Sequence, residues 1–432
     1  MLVRRRLDDV RSGSGVYLTA LIDDLRATGF AVRLVLAPAA AFGSLPLSAP
    51  AATLRDRGCT IVWPGTLRLG SWHVALRRRV WGRAVRRAAA LGLWVLRHNR
   101  RGPRPSLRSD LGRLLHDDDA AAMVAAANEG PSDLVIAEYS SLAPLLSTCR
   151  CDRRGVLLHD LFSVRAASFR AVGLPPDHHD VDAETETDWL RAADLCIYAS
   201  AEEADWMRRR LPGKDHVLFL PPIGTAAHAV PTDPPPSPAA DARSAPTPRA
   251  VFVGVRHGGN RDALQLMLGT IWPAVHAAVP AAELWIVGEI GAEITDPPPG
   301  VRVLGMVEDL SVVGGPDAVG LAPTRAASGV SIKIATYLEL GMAVLATDTA
   351  LAGFGGTVDD AVVHVDGPDA FVAALIRLLS DPAARRAAVA RSAAAVAGLR
   401  RSQALRRHLL APTGSPARAE AGPSSPSGRR PA

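Results

Sequence analysis

Two apolar periodicities alternate along this 432-residue chain. In the second half, AVFVG (250–254), ELWIVG (283–288), VRVLG (301–305), AVGLAP (318–323), AVLATD (343–348) and AVVHVD (361–366) are short runs rich in branched residues. Segments with apolar residues three and four apart separate them. Such runs predict strands buried on both faces and the intervening spacing predicts helices, together a parallel, doubly wound α/β sheet. Between the first two runs Leu264, Met267, Leu268, Ile271 and Val275 predict one buried helical stripe. The first half repeats the logic less regularly, with AVRLVLA (31–37), CTIVW (59–63), DLVIAE (133–138), GVLLHD (155–160) and DLCIYAS (194–200) as strands. Ser200 and Glu203 predict a capping box at the start of the helix EEADWMRRRL. SGSGVYLTALIDDL reads as a glycine loop, Ser12 to Gly15, and the first helix that follow a strand. Only MLVRRR precedes it, so either that strand is minimal or the true start lies upstream.

A chain of this length exceeds one ordinary core. Residues 231–248, PTDPPPSPAADARSAPTP, hold too much proline and too few apolar residues to join a core, and read as a linker. This divides the chain into an amino-terminal lobe (1–230) and a carboxyl-terminal lobe (249–410), with a tail (411–432) of disordered composition. Ligands of open α/β sheets bind at the carboxyl ends of the strands, so the expected site is a cleft between the lobes.

Composition narrows the class. A hydrophobic fraction of 48% with 21% charged residues is globular, and a net charge of +6 is modest for the length but favours an anionic partner. Nucleic acid is excluded, because no recognition fold or aromatic platform accompanies the charge. Cys59, Cys149, Cys151 and Cys196 form no metal-ligand pattern and predict a reducing, cytoplasmic compartment. The amino terminus lacks the apolar core of a signal peptide, and the longest apolar run, Ala88 to Leu96, is too short to span a bilayer. The basic segment from Trp72 to Arg108 reads as a cationic amphipathic helix with Trp81 and Trp94, in peripheral contact with an anionic membrane at its inner face. Its other reading is a solvated arginine face with tryptophans in the core.

Only two lysines, Lys214 and Lys333, occur among 49 basic residues. AVGLAP ends a strand, TRAASG makes a polar loop and VSIKIATYLELG begins a helix, which puts Lys333 in a first turn at a strand end. Free N–H groups at Ser328 to Ser331 and the helix dipole suit a phosphate, to which Lys333 adds a point charge. A lysine merely solvated on a helix face is the alternative. Arg256, after the turn glycine Gly254, occupies the matching strand end and reads either as a second diphosphate cation or as an ordinary loop arginine. Gly13 and Gly15 allow close backbone approach to a ligand.

The segments VFVGVRHGGNRDALQLMLGTIWPAVHAAVPAAELWIVG, VRVLGMVEDL and GVSIKIATYLELGMAVLATDTALAGF resemble the carboxyl lobe of GT-B glycosyltransferases of family 4, over roughly 250–380. SGSGVYLTALIDDLRATGFAVRLV, DLVIAEYSSL, VLLHDLFSVR and ADLCIYASAEEADWM are similar to parts of the amino lobe. The resemblance implies two doubly wound Rossmann-like lobes, a nucleotide-sugar donor, no tightly bound cofactor or metal, and transfer with retention to a glycan, lipid-linked or small-molecule hydroxyl, as in polysaccharide biosynthesis. It places Gly329, Val330 and Lys333 at the diphosphate, Met306 and Val307 by the nucleobase, and His159 near the transferred sugar. A lone strand-end histidine also reads as structural. Many family members carry two glutamates with seven residues between them where this chain has Ser328 and Thr336; Thr336 offers one hydrogen bond but no carboxylate, and Glu339 lies one turn later. That departure supports a second reading, a non-catalytic GT-B subunit acting through a partner. A GT-B epimerase is a third reading with less support.

Overall fold

The computed structural model describes residues 1–5, 7, 12–39, 42, 45–50, 52–98, 109–223 and 248–410. The linker at 231–247, the tail at 411–432, residues 99–108 and the Trp94 side chain lie outside the described part.

The amino lobe holds β1 (Leu2–Val3), β2 (Arg33–Leu36), β3 (Leu47–Ser48), β4 (Thr60–Val62), β5 (Thr66–Leu69), β6 (Trp72–Ala75), β7 (Leu134–Glu138), β8 (Arg153–Leu158), β9 (Leu195–Tyr198) and β10 (Asp215–Leu218). Seven of these form one parallel sheet in the order β10-β9-β8-β7-β1-β2-β4, and β3-β6-β5 form a separate small antiparallel sheet. The carboxyl lobe holds β11 (Arg249–Val253), β12 (Glu283–Val287), β13 (Val301–Gly305), β14 (Ala318–Ala322), β15 (Ala343–Ala346) and β16 (Val362–His364), parallel in the order β13-β12-β11-β14-β15-β16. Each large sheet reverses strand order beside its first strand, β1/β7 in one lobe and β11/β14 in the other, and such a reversal opens a crevice at the strand ends.

All six carboxyl-lobe strands coincide with the apolar runs, because strands covered on both faces need no polar alternation. The predicted stripe is buried at Leu264, Met267, Ile271 and Val275, with Leu268 packed beside it, on a helix that widens to a π-turn over Met267–Ile271. Two elements differ from the pattern reading. Trp72–Ala75 is strand β6, and the basic helix begins only at Arg78, running to His98. The first helix, Gly13–Ala27, starts inside the expected glycine loop, with Ser12 as its N-cap.

The described chain passes between the lobes at two places. Phe219 belongs to the amino-lobe core, while Leu220 and Ile223 pack in the carboxyl-lobe core, so the chain crosses between lobes at that step. The last helix, Pro382–Leu410, contributes Ala395 and Leu399 to the carboxyl core and then inserts Arg406 into the amino lobe. There Arg406 Nε donates to Asp24 Oδ2 at 2.6 Å, both residues being 1% exposed.

Candidate active site

A cleft of ≈ 870 Å³ opens between the lobes at the two points of strand-order reversal. Its carboxyl-lobe wall comes from the turn after β11 and the loop after β14, its amino-lobe wall from the ends of β7 and β8 and the start of the first helix.

Lys333 faces this space from the first turn of the helix Ile332–Glu339. Its Nζ donates to Asn260 Oδ1 at 2.7 Å and sits 4.4 Å from the centre of the Phe252 ring. Asn260 is held in turn, its amide donating to the Val255 carbonyl at 2.9 Å. Neighbouring His257 caps the helix Gly258–Leu266 by accepting the Asn260 N–H. Burial, with Arg165 and Lys333 nearby, lowers the His257 pKa to about 3, so the imidazole is neutral at physiological pH. The ammonium therefore meets a neutral amide and a ring face, and burial pulls its pKa from 10.5 to about 7. An anion in the cleft would supply the charge this amine lacks.

Arg256 lines the same wall, but its Nε donates to Glu293 Oε1 at 2.5 Å, and Arg261 Nη2 lies 3.3 Å from that oxygen. Burial acts to raise the Glu293 pKa, yet the two guanidiniums override it and hold the carboxyl below its usual range. One carboxylate against two arginines leaves net positive charge at this end. Met306, half exposed, and Val307 line the cleft just beyond β13. Gly254 lets Asn260 close in, since a Cβ there would lie 2.9 Å from Asn260 Nδ2.

The loop before Lys333 is engaged by the amino lobe. Ser168 Oγ accepts the Ala327 N–H at 2.9 Å, Asp160 Oδ2 accepts the Ser328 hydroxyl at 3.0 Å, and Glu203 Oε1 accepts the Gly329 N–H at 2.7 Å. The Gly329 amide expected to be free for phosphate is thus taken by a buried carboxyl. Burial first, and then Asp160, push the Glu203 pKa well above the carboxylate range. Ser200 does cap its helix, at 3.3 Å from the Glu203 N–H, but the predicted capping box is not closed: Glu203 Oε2 accepts the Leu161 N–H instead. Val330 packs on both cores.

Gly329 has φ 66°, and a Cβ on it would lie 2.3 Å from the His159 carbonyl oxygen. Gly329→Ala is expected to lose about 1–2 kcal/mol from the left-handed backbone alone, and more from the contact. Gly356→Ala, also at positive φ but with nothing within 4 Å, is the control. Chemical denaturation should show the larger loss at Gly329; equal losses would mean that the lobes yield there freely.

On the amino-lobe wall, His159 Nε2 pairs with Glu138 Oε1 at 3.0 Å. Arg5 Nη1 lies 3.6 Å from the same oxygen, and Glu138 Oε2 accepts the Arg4 N–H at 3.3 Å. His159 Nδ1 is buried without a hydrogen-bond partner among the described residues. The Tyr139 ring lies 4.8 Å from the imidazole, on a backbone at φ 71° that only a few non-glycine residues adopt. Asp160 and Asp177 both bind Arg165, Asp177 through two bonds of 2.7 and 2.6 Å, and Asp177 also accepts the Gly258 N–H at 3.2 Å. Burial would raise the Asp177 pKa, but Arg165 overrides it and holds the carboxyl at about 2.

Of the residues singled out from sequence, the cleft gathers Gly13, Gly254, Arg256, Met306, Val307, Ser328, Val330, Lys333, Thr336 and His159. Gly13 approaches Ile332 of the opposite lobe, where a Cβ would come within 2.9 Å of Cδ1, so its smallness serves lobe packing. Gly15 is buried inside the first helix. The Thr336 hydroxyl donates to the Ile332 carbonyl of its own helix at 3.3 Å, and Glu339, in the last turn, does not line the cleft. Missed were Asn260, Glu138, Asp160, Asp177 and Glu203. Glu138 and Asp160 carried a usable signal, a carboxylate at the end of a buried parallel strand. Asn260 and Glu203 did not, because their partners lie 73 and 126 residues away.

Two doubly wound lobes with a cleft between their strand ends are the GT-B architecture. Residues 247–381, which span most of the carboxyl lobe, match the family described as glycosyl transferases group 1. The solved structures that share the fold include sucrose-phosphate synthase from Thermosynechococcus elongatus, 15% identical over 95% of this chain and 98% of that one, with a TM-score of 0.55. They also include alpha,alpha-trehalose 6-phosphate synthase from Burkholderia multivorans, 16% identical over 94% and 96%, with a TM-score of 0.52. The E. coli trehalose-6-phosphate structure bound with UDP-2-fluoro glucose is 14% identical over 94% and 97%, with a TM-score of 0.51. No curated protein matches the chain by sequence. Among the described residues no helix is long and apolar enough to cross a membrane.

Proposed function

We propose that this protein transfers a sugar from a nucleotide-sugar, held by the carboxyl lobe, to a hydroxyl acceptor presented along the amino lobe. The observation that carries the reading is Lys333, a partly neutralised amine with only a neutral hydrogen-bond partner, aimed into the cleft at the strand reversal. Lys333, with Arg256 and Arg261 beyond it, would stabilise the departing diphosphate as charge develops on it. His159, oriented by Glu138 and lining the cleft, would face the transferred sugar. Retention of configuration follows the family resemblance and the E. coli structure's UDP-sugar supports a nucleotide donor. A cytoplasmic location is supported by four free cysteines, and peripheral membrane contact by the arginine-rich helix.

The second reading, a non-catalytic subunit that binds nucleotide or glycan, is favoured by Ser328 and Thr336, both of which spend their hydroxyls on protein partners. Thermal stabilisation by a panel of nucleoside diphosphates and nucleotide-sugars separates the two. A selective shift is expected in wild type and lost in Lys333→Ala. With the base so identified, His159→Ala should retain the donor shift and lose on the order of a hundredfold in turnover. Binding without turnover on any hydroxyl acceptor would favour the non-catalytic reading, and no shift in folded protein would overturn both.

A further inference from the structure

We infer that the small antiparallel sheet β3-β6-β5 and the helix after it form a surface that seats on an anionic membrane. It specifies the membrane contact proposed above and rests on no step of the transfer.

The register decides which way this sheet faces. Leu47 pairs with Val74 and Val74 with Leu67, while Leu69 pairs with Trp72. Cross-strand partners, and residues two apart on one strand, share a face. Leu47, Leu67, Leu69, Trp72 and Val74 therefore lie on one side, and Leu76 continues it. That side is the solvent side: Leu67, Leu69, Trp72 and Leu76 are 51%, 57%, 50% and 63% exposed. The other side carries Ser48, Thr66, Arg68, His73 and Ala75, and all of these but the exposed Arg68 are turned inward. Thr66 donates to the Trp63 carbonyl, the His73 ring lies 5.0 Å from Trp63, and Ala75 is 2% exposed. An antiparallel sheet on a protein in water alternates the opposite way, apolar inward.

The inversion extends beyond the sheet. Trp81 Nε1 donates to the Ala75 carbonyl at 2.8 Å, fixing the helix Arg78–His98 to the sheet, and Trp81 and Val85 are themselves exposed. Among the described residues, nine of the fourteen exposed large apolar side chains fall between Leu45 and Leu93. Burying so contiguous an apolar face is favourable for whatever covers it.

Charge identifies that cover. From Arg57 to Ser109 the sequence contains thirteen arginines and no aspartate or glutamate. Arg78 and Arg86 are exposed on the helix that adjoins the leucine rows. A second copy of the chain would bring like charges together, and leucine rows do not stack on nucleobases. An apolar plane beside a cationic helix fits a bilayer whose surface is anionic and whose interior is hydrocarbon.

The test is partitioning of the full chain onto vesicles of phosphatidylcholine with and without phosphatidylglycerol. Binding is expected to the anionic vesicles and to weaken with salt. Leu67→Ser/Leu69→Ser/Leu76→Ser should lose on the order of a hundredfold in partition coefficient without a fall in melting temperature. Arg78→Ser/Arg86→Ser should lose about tenfold, and only on anionic vesicles. Brominated lipid should quench wild-type tryptophan fluorescence more than that of Trp72→Phe, a readout that needs no leucine variant to fold. No partitioning of wild type, or partitioning and quenching unchanged in the variants, overturns the inference. So does a wild-type dimer in sedimentation that the leucine replacements dissolve, which would make the face a contact between copies, or tighter binding to RNA than to anionic vesicles.

Discussion

Lys333→Met is expected to weaken nucleotide-sugar binding about 10–100-fold, the loss of a charge-assisted hydrogen bond to phosphate. The side chains are similar in length, so the packing against Phe252 is kept while the charge is removed. The apo variant should melt no lower than wild type, because the folded protein is relieved of an amine whose charged form burial disfavours. Titration distinguishes this role from a steric one. In the free protein burial lowers the Lys333 pKa to about 7, from 10.5 for an ordinary lysine. A bound diphosphate favours the ammonium and raises that pKa, so binding above pH 7 takes up a proton. Wild-type affinity for a nucleotide-sugar, whose own phosphates do not titrate there, should be flat below about pH 7 and fall by up to about tenfold per pH unit above it. Apo stability has the opposite slope. Between about 7 and 10.5 the unfolded chain holds a proton on Lys333 that the folded chain has released, so this residue's contribution to stability rises with pH. Calorimetry in buffers of different ionisation enthalpy measures the uptake directly. An affinity independent of pH in wild type, or equally pH-dependent in Lys333→Met, would remove Lys333 from the phosphate site.

Arg406→Ala is expected to cost about 3–5 kcal/mol of stability, because it removes one partner of a buried ion pair. Arg406 is also lost from the Phe219 ring, whose centre lies 3.5 Å from the guanidinium carbon. Asp24→Ala should cost a similar amount. The double replacement Arg406→Met/Asp24→Leu should be far milder, since both buried charges are then removed together. Differential scanning calorimetry should further show the two lobes melting closer to independently in the single variants, as this pair joins the last helix to the first. Single variants no worse than the double would mean that the pair is not buried as a unit.

The elements legible in the sequence were those whose local pattern and tertiary setting agree. AVFVG, AVGLAP and AVLATD are strands covered on both faces, and nothing else explains such short branched runs between helical segments. Lys333 stood out through its rarity and its place at a strand end. The small sheet was overlooked although TLRLGSWHVAL carries period-two alternation around a Gly-Ser turn, with Gly70 at φ 62°. Its arginine-rich surroundings drew the reading toward a helix that begins only at Arg78. The proline-rich stretch of the expected lobe boundary lies outside the described residues; among the described residues the chain crosses at the apolar step from Phe219 to Leu220.

Sequence alone determined two doubly wound α/β lobes and a cationic helix start facing a cleft, because strand burial and helix periodicity are properties of neighbouring residues. Only the tertiary structure decided that Glu203 holds the Gly329 amide, that Asp160 holds Ser328, that Asn260 rather than a carboxylate meets Lys333, and that a leucine-rich sheet face points outward. Each of these depends on which groups from distant segments, often on opposite lobes, come within hydrogen-bond reach or leave a face uncovered. No local pattern encodes that separation.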